Sequence, residues 1–117
     1  SEFVAGFMGE AMLFPAKALG GGAVPVGSMQ ITPRNAIPSG AIKVAVRPEA
    51  WQIHRTGDGM PAKLVKSAYL GSFFEYNFDT ELGKIFVVSP DLTDVLPLGA
   101  EVKLSLASHG VSVVAAN

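Results

Sequence analysis

A chain of 117 residues is long enough for one domain with an ordinary core and too short for two. Nine Lys and Arg against ten Asp and Glu leave a formal charge of −1, with no basic cluster, which argues against an electrostatic nucleic-acid partner. Having no cysteine removes disulfides, thiolate catalysis and thiolate metal sites together, while 49% hydrophobic against 16% charged residues leaves apolar surface to meet another protein.

Residues 2–8 (EFVAGFM) put Phe3, Val4 and Phe7 at helical spacing with Gly9 as a stop, a piece too short to stand alone. The reading is a helical or connector remnant over residues 1–9 that follows a preceding domain, with a β-domain over residues 10–117. Residues 12–19 (MLFPAKAL) are strand-like, but Pro15 demotes them to an edge or to a strand entered late. Gly20, Gly21 and Gly22 form a turn; a phosphate cradle would need a following helix and a Lys with Ser or Thr at fixed spacing, and neither follows. Residues 24–26 and 29–31 read as short strands around Gly27 and Ser28, and residues 33–40 as a loop.

Ile42, Val44 and Val46 then alternate with Lys43, Ala45 and Arg47, the period of a strand with one face on a core. Pro48 ends that strand, because it has no N–H to donate and pushes Arg47 away from helical geometry. Arg47 and Glu49 thus flank a corner, and Trp51 and Ile53 restart the alternation beyond it. A structural corner with a local Arg–Glu contact is the plain reading, and a proline-fixed bend is expected to make that contact count for more than an exposed pair. Residues 55–61 are turn chemistry, residues 62–70 a strand, and Gly71 with Ser72 a break. Phe74, Tyr76 and Phe78 alternate with Glu75, Asn77 and Asp79, residues 80–83 make a hairpin loop, and residues 84–89 return antiparallel. Residues 102–106 alternate again, and His109 with Gly110 turns the chain into residues 111–115. The pattern is all-β, about eight to ten short strands with turn signals at close intervals, which means a small barrel or sandwich.

No catalytic constellation is visible. His54 and His109 stand in different turns without a partner at metal-ligand spacing, and the serines beside glycine fall outside G-x-S-x-G. The aromatic stripe could stack bases in an OB fold, but interleaved acids and the missing basic groove favour core packing. No apolar run reaches the roughly 18 residues of a membrane span. The start at Ser1 does not read as a signal peptide, and the chain is taken for a piece of something longer.

Three motifs in order, the junction-like FVAGFMGEAMLFPA of residues 3–16, VRPE of residues 46–49 and YLGS of residues 69–72, make the chain resemble the TOBE domain. This is the transport-associated OB-like domain that follows the ATPase domain in many ABC importers. The likeness is nearest the iron(III), polyamine and maltose types, and Gly9 with Glu10 leans it towards iron. Glycine and small residues crowd positions 20–27, where other members carry longer strands. The signature residues are Arg47, Pro48 and Glu49, then Tyr69, Leu70, Gly71 and Ser72.

The resemblance implies a regulatory and dimerising role, with ATP and Mg handled by the preceding ATPase domain and no cofactor here. The Walker A pattern is missing from this chain. Implied partners are a second copy, the ATPase domain and, indirectly, the permease subunits, at the cytoplasmic side of the inner membrane without insertion into it. Val111 and Val113, on a short apolar terminal strand, are the candidate dimer edge. Two rivals stand beside this: a small-ligand, oxyanion-sensing domain using Ser67, Ser72 and the glycine-rich turns, and an OB-fold nucleic-acid binder.

Overall fold

In the computed structural model, which describes residues 2–4, 11–20, 22–33 and 37–115, the chain runs as eleven short strands. They are β1 (Glu2–Val4), β2 (Ala11–Ala18), β3 (Val24–Val26), β4 (Met29–Ile31), β5 (Gly40–Val46), β6 (Trp51–His54), β7 (Met60–Tyr69), β8 (Phe74–Thr80), β9 (Gly83–Ser89), β10 (Glu101–Leu106) and β11 (Val111–Ala115). The single helical element among the described residues is a 3₁₀ turn, Pro48–Ala50. Every pairing between them is antiparallel. They form a four-stranded sheet β1-β2-β5-β11, a five-stranded sheet β6-β10-β7-β8-β9 and the hairpin β3-β4. Together these make the small OB-like β-fold of short antiparallel strands that the TOBE resemblance implies.

The alternation of β5 becomes burial: Ile42, Val44 and Val46 are all in the core, Val44 and Val46 completely. Phe74, Tyr76 and Phe78 likewise face inward, their rings 5.5 and 5.9 Å apart in succession. A stripe buried this way packs the core and offers no face for base stacking. The hairpin after β8 is tight: Thr80 pairs with Gly83, and the Thr80 hydroxyl donates to the Gly83 carbonyl at 2.8 Å and accepts from the Leu82 amide at 3.0 Å. Ser28, at the tip of the β3–β4 hairpin, donates its amide to the Glu81 carboxylate, which ties the small hairpin to the β8–β9 turn.

Two expectations change. The helical spacing of Phe3 and Val4 yields a strand, not a helix: Glu2–Val4 pair with Leu13, Met12 and Ala11 of β2. So short a segment has no intrinsic helical stability, and an available strand edge decides its conformation. Phe7, Gly9 and Glu10 lie outside the described residues. β2 in turn is an inner strand rather than an edge, flanked by β1 and β5. Pro15 is tolerated there because the described part of β1 reaches only as far as Leu13, so among the described residues no strand beyond it calls for an amide from Pro15.

Candidate functional site

The corner is built from two chain segments. The Ala50 amide closes the 3₁₀ turn on the Arg47 carbonyl at 3.0 Å, and Pro48 occupies its first position, where a missing N–H costs nothing. From the other side, the Arg47 amide donates to the Gly110 carbonyl at 2.9 Å and the Ala107 amide to the Ala50 carbonyl at 2.8 Å. The β10–β11 turn therefore clamps the corner through backbone hydrogen bonds. Gly110 has φ 77°, and a Cβ there would meet the Ala50 Cβ at 3.0 Å. That position needs glycine twice over, for conformation and for space. Pro48, Ala50 and Trp51 are buried, and the Trp51 ring meets Phe14 edge-on at 6.0 Å. The Trp51 Nε1 is buried without a hydrogen-bond partner.

Arg47 Nη1 and Glu49 Oε1 are 3.8 Å apart, with the Glu49 side chain 51% exposed. This is the local contact expected at the bend, but its length and exposure give it the strength of a surface pair, roughly 0–1 kcal/mol. The proline fixes the backbone without drawing the two charges together.

The second signature is exposed at all four of its residues. Tyr69 ends β7, Leu70, Gly71 and Ser72 turn the chain towards β8, and Tyr69 and Leu70 are 61% and 50% exposed. The turn is shaped by the Leu70 amide on the Phe73 carbonyl at 2.9 Å and the Tyr69 hydroxyl donating to the Gly71 carbonyl at 2.8 Å. Gly71 has φ 92° with open space where a Cβ would be, and the Tyr69 ring leans on Phe74 at 5.2 Å. The two signatures do not converge into one pocket: Val46 and Pro48 of VRPE are buried with Glu49 exposed, and all four residues of YLGS are exposed. Ser67 lies on β7 opposite Tyr76, and Ser72 in the exposed turn.

β11 is an edge of the four-stranded sheet, paired to β5 with Val111 opposite Val46 and Val113 opposite Val44. Val111 and Val113 are half-buried against the core, whereas Ser112 between them is exposed. The side chains of the two valines thus hold the strand on, and its outer backbone has no strand partner among the described residues.

Sequence separation hides two further features. His54 is the last residue of β6 rather than a turn residue, and its Nε2 is 2.7 Å from the Ser105 hydroxyl, which donates to Gln52 Oε1 at 3.2 Å. Arg55 grips Asp94 through two hydrogen bonds, at 2.6 and 3.3 Å. That contact holds the Asp94 carboxyl below its ordinary range, and hydrogen bonds from Thr93 do the same for Asp91. Neither pairing leaves a mark in local sequence, since both partners lie about forty residues or more apart. Among the described residues, no three His, Asp or Glu side chains gather as a metal site.

The family model for the TOBE domain matches residues 44–114, from the core strand β5 to the last described strand. The chain belongs to the TOBE family. Over 97% of its length this TOBE domain is 34% identical to the "Fe(3+) ions import ATP-binding protein FbpC" of Brucella abortus and to that of Agrobacterium fabrum. It is 32% identical over 95% of its length to the protein of the same name from Mannheimia succiniciproducens. It spans about a third of the length of these relatives, 34%, 34% and 32%. A crystal structure of the cytoplasmic molybdate-binding protein ModG with molybdate bound shares the fold, with a TM-score of 0.66 over 90% of this chain and 96% of that one, at 10% identity. A TOBE domain is not a catalytic domain, and no helix among the described residues is long and apolar enough to cross a membrane.

Proposed function

We propose that this TOBE domain is the regulatory and dimerising part of the ATP-binding subunit of an ABC importer for iron(III). Its identity to several iron(III) import ATP-binding proteins across nearly its whole length carries the reading. In this role ATP and Mg are bound by an ATPase domain elsewhere in the subunit, and the permease subunits are reached through that domain at the cytoplasmic face of the inner membrane. The domain holds two ATPases close and so raises their effective concentration for each other. The free backbone of β11 is the edge through which two copies pair.

The test is oligomeric mass by light scattering after size exclusion, across a hundredfold dilution. A mass near twice 12.2 kDa that falls on dilution supports pairing, and 12.2 kDa at every concentration sinks it. Ser112→Lys, on the exposed side of the edge, is expected to weaken the dimer while sparing the fold. Val113→Lys would instead bury a cation against the core. Calorimetric titration should show no ATP binding to this chain, and micromolar binding would count against the division of labour. A second reading, oxyanion sensing, draws on the shared fold with ModG and on Ser67 and Ser72. It predicts a rise in melting temperature with molybdate.

A further inference from the structure

The chain holds four aspartates, and the carboxylates of three are engaged. Lys84 holds Asp79 at 2.8 Å and Arg55 holds Asp94 at 2.6 Å, while Asp91 accepts from the Thr93 amide and hydroxyl and from the Asp94 amide. Each of these three is followed by a residue whose side chain shields its own amide nitrogen, Thr80, Leu92 or Val95. Asp58 differs on both counts. Its carboxylate has no hydrogen bond or ion pair among the described residues, and the next residue is Gly59, whose amide makes no backbone hydrogen bond among them. Residues 54–58 are all exposed, and Asp58 stands between Gly57 and Gly59, at φ 97° and 141°. Asp58 and Gly59 also line a cleft of about 1060 Å³ that residues of β4 and β11 border, so the turn has room and water on that side. Flanking glycines leave the backbone free to bring the Asp58 carboxyl onto the Gly59 nitrogen.

We propose that Asp58 and Gly59 form a site of spontaneous backbone isomerisation in the folded domain. The Gly59 nitrogen attacks Cγ of the protonated Asp58 carboxyl. A C–N bond forms, the carboxyl hydroxyl leaves as water with the amide proton, and a five-membered succinimide closes. Water then opens the ring. Attack at the side-chain carbonyl restores aspartate, and attack at the main-chain carbonyl gives isoaspartate, in which the chain runs through Cβ and Cγ and is one atom longer. The reaction needs nothing but the water it first releases. Its product falls where the backbone has no slack: a Cβ on Gly59 would lie 2.8 Å from the Leu104 carbonyl oxygen, and Met60, opposite Leu104, is completely buried. The lengthened turn therefore pushes the start of β7 away from β10 and lowers stability. This proposal stands apart from the importer reading.

The test ages the intact chain at about pH 5, close enough to the ordinary aspartate pKa of about 3.9 to keep a usable fraction of the carboxyl protonated. A second sample ages alongside it in denaturing urea. Isoaspartate is counted by transfer of a labelled methyl group from an isoaspartyl methyltransferase and placed by mass spectrometry of the peptides. The label is expected at Asp58 and at none of the other three aspartates. Its rate of appearance in the folded chain should lie within about tenfold of that in urea, because no local unfolding has to come first. Asp58→Glu keeps the charge at an exposed position but would have to close a six-membered ring, so it should lose the signal. The converted chain should melt below an Asp58→Glu chain aged beside it. A folded-state rate more than about tenfold slower than in urea overturns the proposal, since the turn would then have to open before reacting. So does label at another aspartate, or label that persists in Asp58→Glu. An unchanged melting temperature after conversion overturns the predicted displacement of β7.

Discussion

Residues 46–49 and residues 69–72 carry the same family resemblance, yet the first bury Val46 and Pro48 beside the β10–β11 turn and leave only Glu49 exposed, while the second leave all four residues in solvent. Both bends rest on a residue of special conformation, Pro48 in one and Gly71 in the other. Burial separates them. Backbone bonds on both flanks fix the shape of the first motif, whereas the second leaves the Tyr69 and Leu70 side chains in solvent.

The sharpest way to break this comparison is to empty the corner. Trp51→Ala removes a ring 4% exposed and is expected to cost about 3–5 kcal/mol in chemical denaturation. A loss below about 1 kcal/mol would place Trp51 outside the cooperative core. Glycine substitutions divide the two bends more finely. Gly110 and Gly71 share positive φ, 77° and 92°, but a side chain meets Ala50 at the first and nothing at the second. Gly71→Ala should cost about 1–2 kcal/mol for conformation alone. Gly110→Val adds a steric clash on top of that, for about 2–4 kcal/mol; equal losses at the two sites would show that the clamp yields.

Surface groups come next. Tyr69→Ala should cost about 0.5–1.5 kcal/mol, the worth of its ring contact with Phe74. Glu49→Ala should cost about 1 kcal/mol or less, because its partner stands 3.8 Å away. The smallest effect concerns acid. Arg55 depresses the folded-state pKa of Asp94, so the pair's contribution is present above the unfolded value of 3.8 and is lost as the pH falls through the lower folded value. Arg55→Gln should therefore flatten the decline of the urea midpoint between about pH 5 and about pH 2. Asp91, held down by Thr93, keeps part of the slope.

Strands with a polar and an apolar face were plain in the sequence, as β5, β8 and the β8–β9 hairpin show, because alternation and turn chemistry act over a few residues. The VRPE corner was legible for the same reason, since proline writes its constraint locally. Residues 2–4 were misread because three residues carry less intrinsic preference than a neighbouring strand edge imposes. Pro15 told the truth about a missing donor and misled about position, for what mattered was how far β1 extends. The brace of Ala107 and Gly110 on the corner, the Arg55–Asp94 grip and the meeting of β4 with β11 across a cleft all join distant segments. No window of the sequence contains both halves of any of them.

Trp51 is the one tryptophan of the chain, and its indole lies in an apolar setting at the clamped corner with no hydrogen-bond acceptor for its nitrogen. The domain thus carries a built-in fluorophore whose emission colour reports one place rather than an average over many. Blue emission marks a corner held shut by the β10–β11 turn, and a red shift marks water reaching the ring. Loosening at this point can be watched without a label, in the isolated domain or within a larger assembly whose other subunits lack tryptophan.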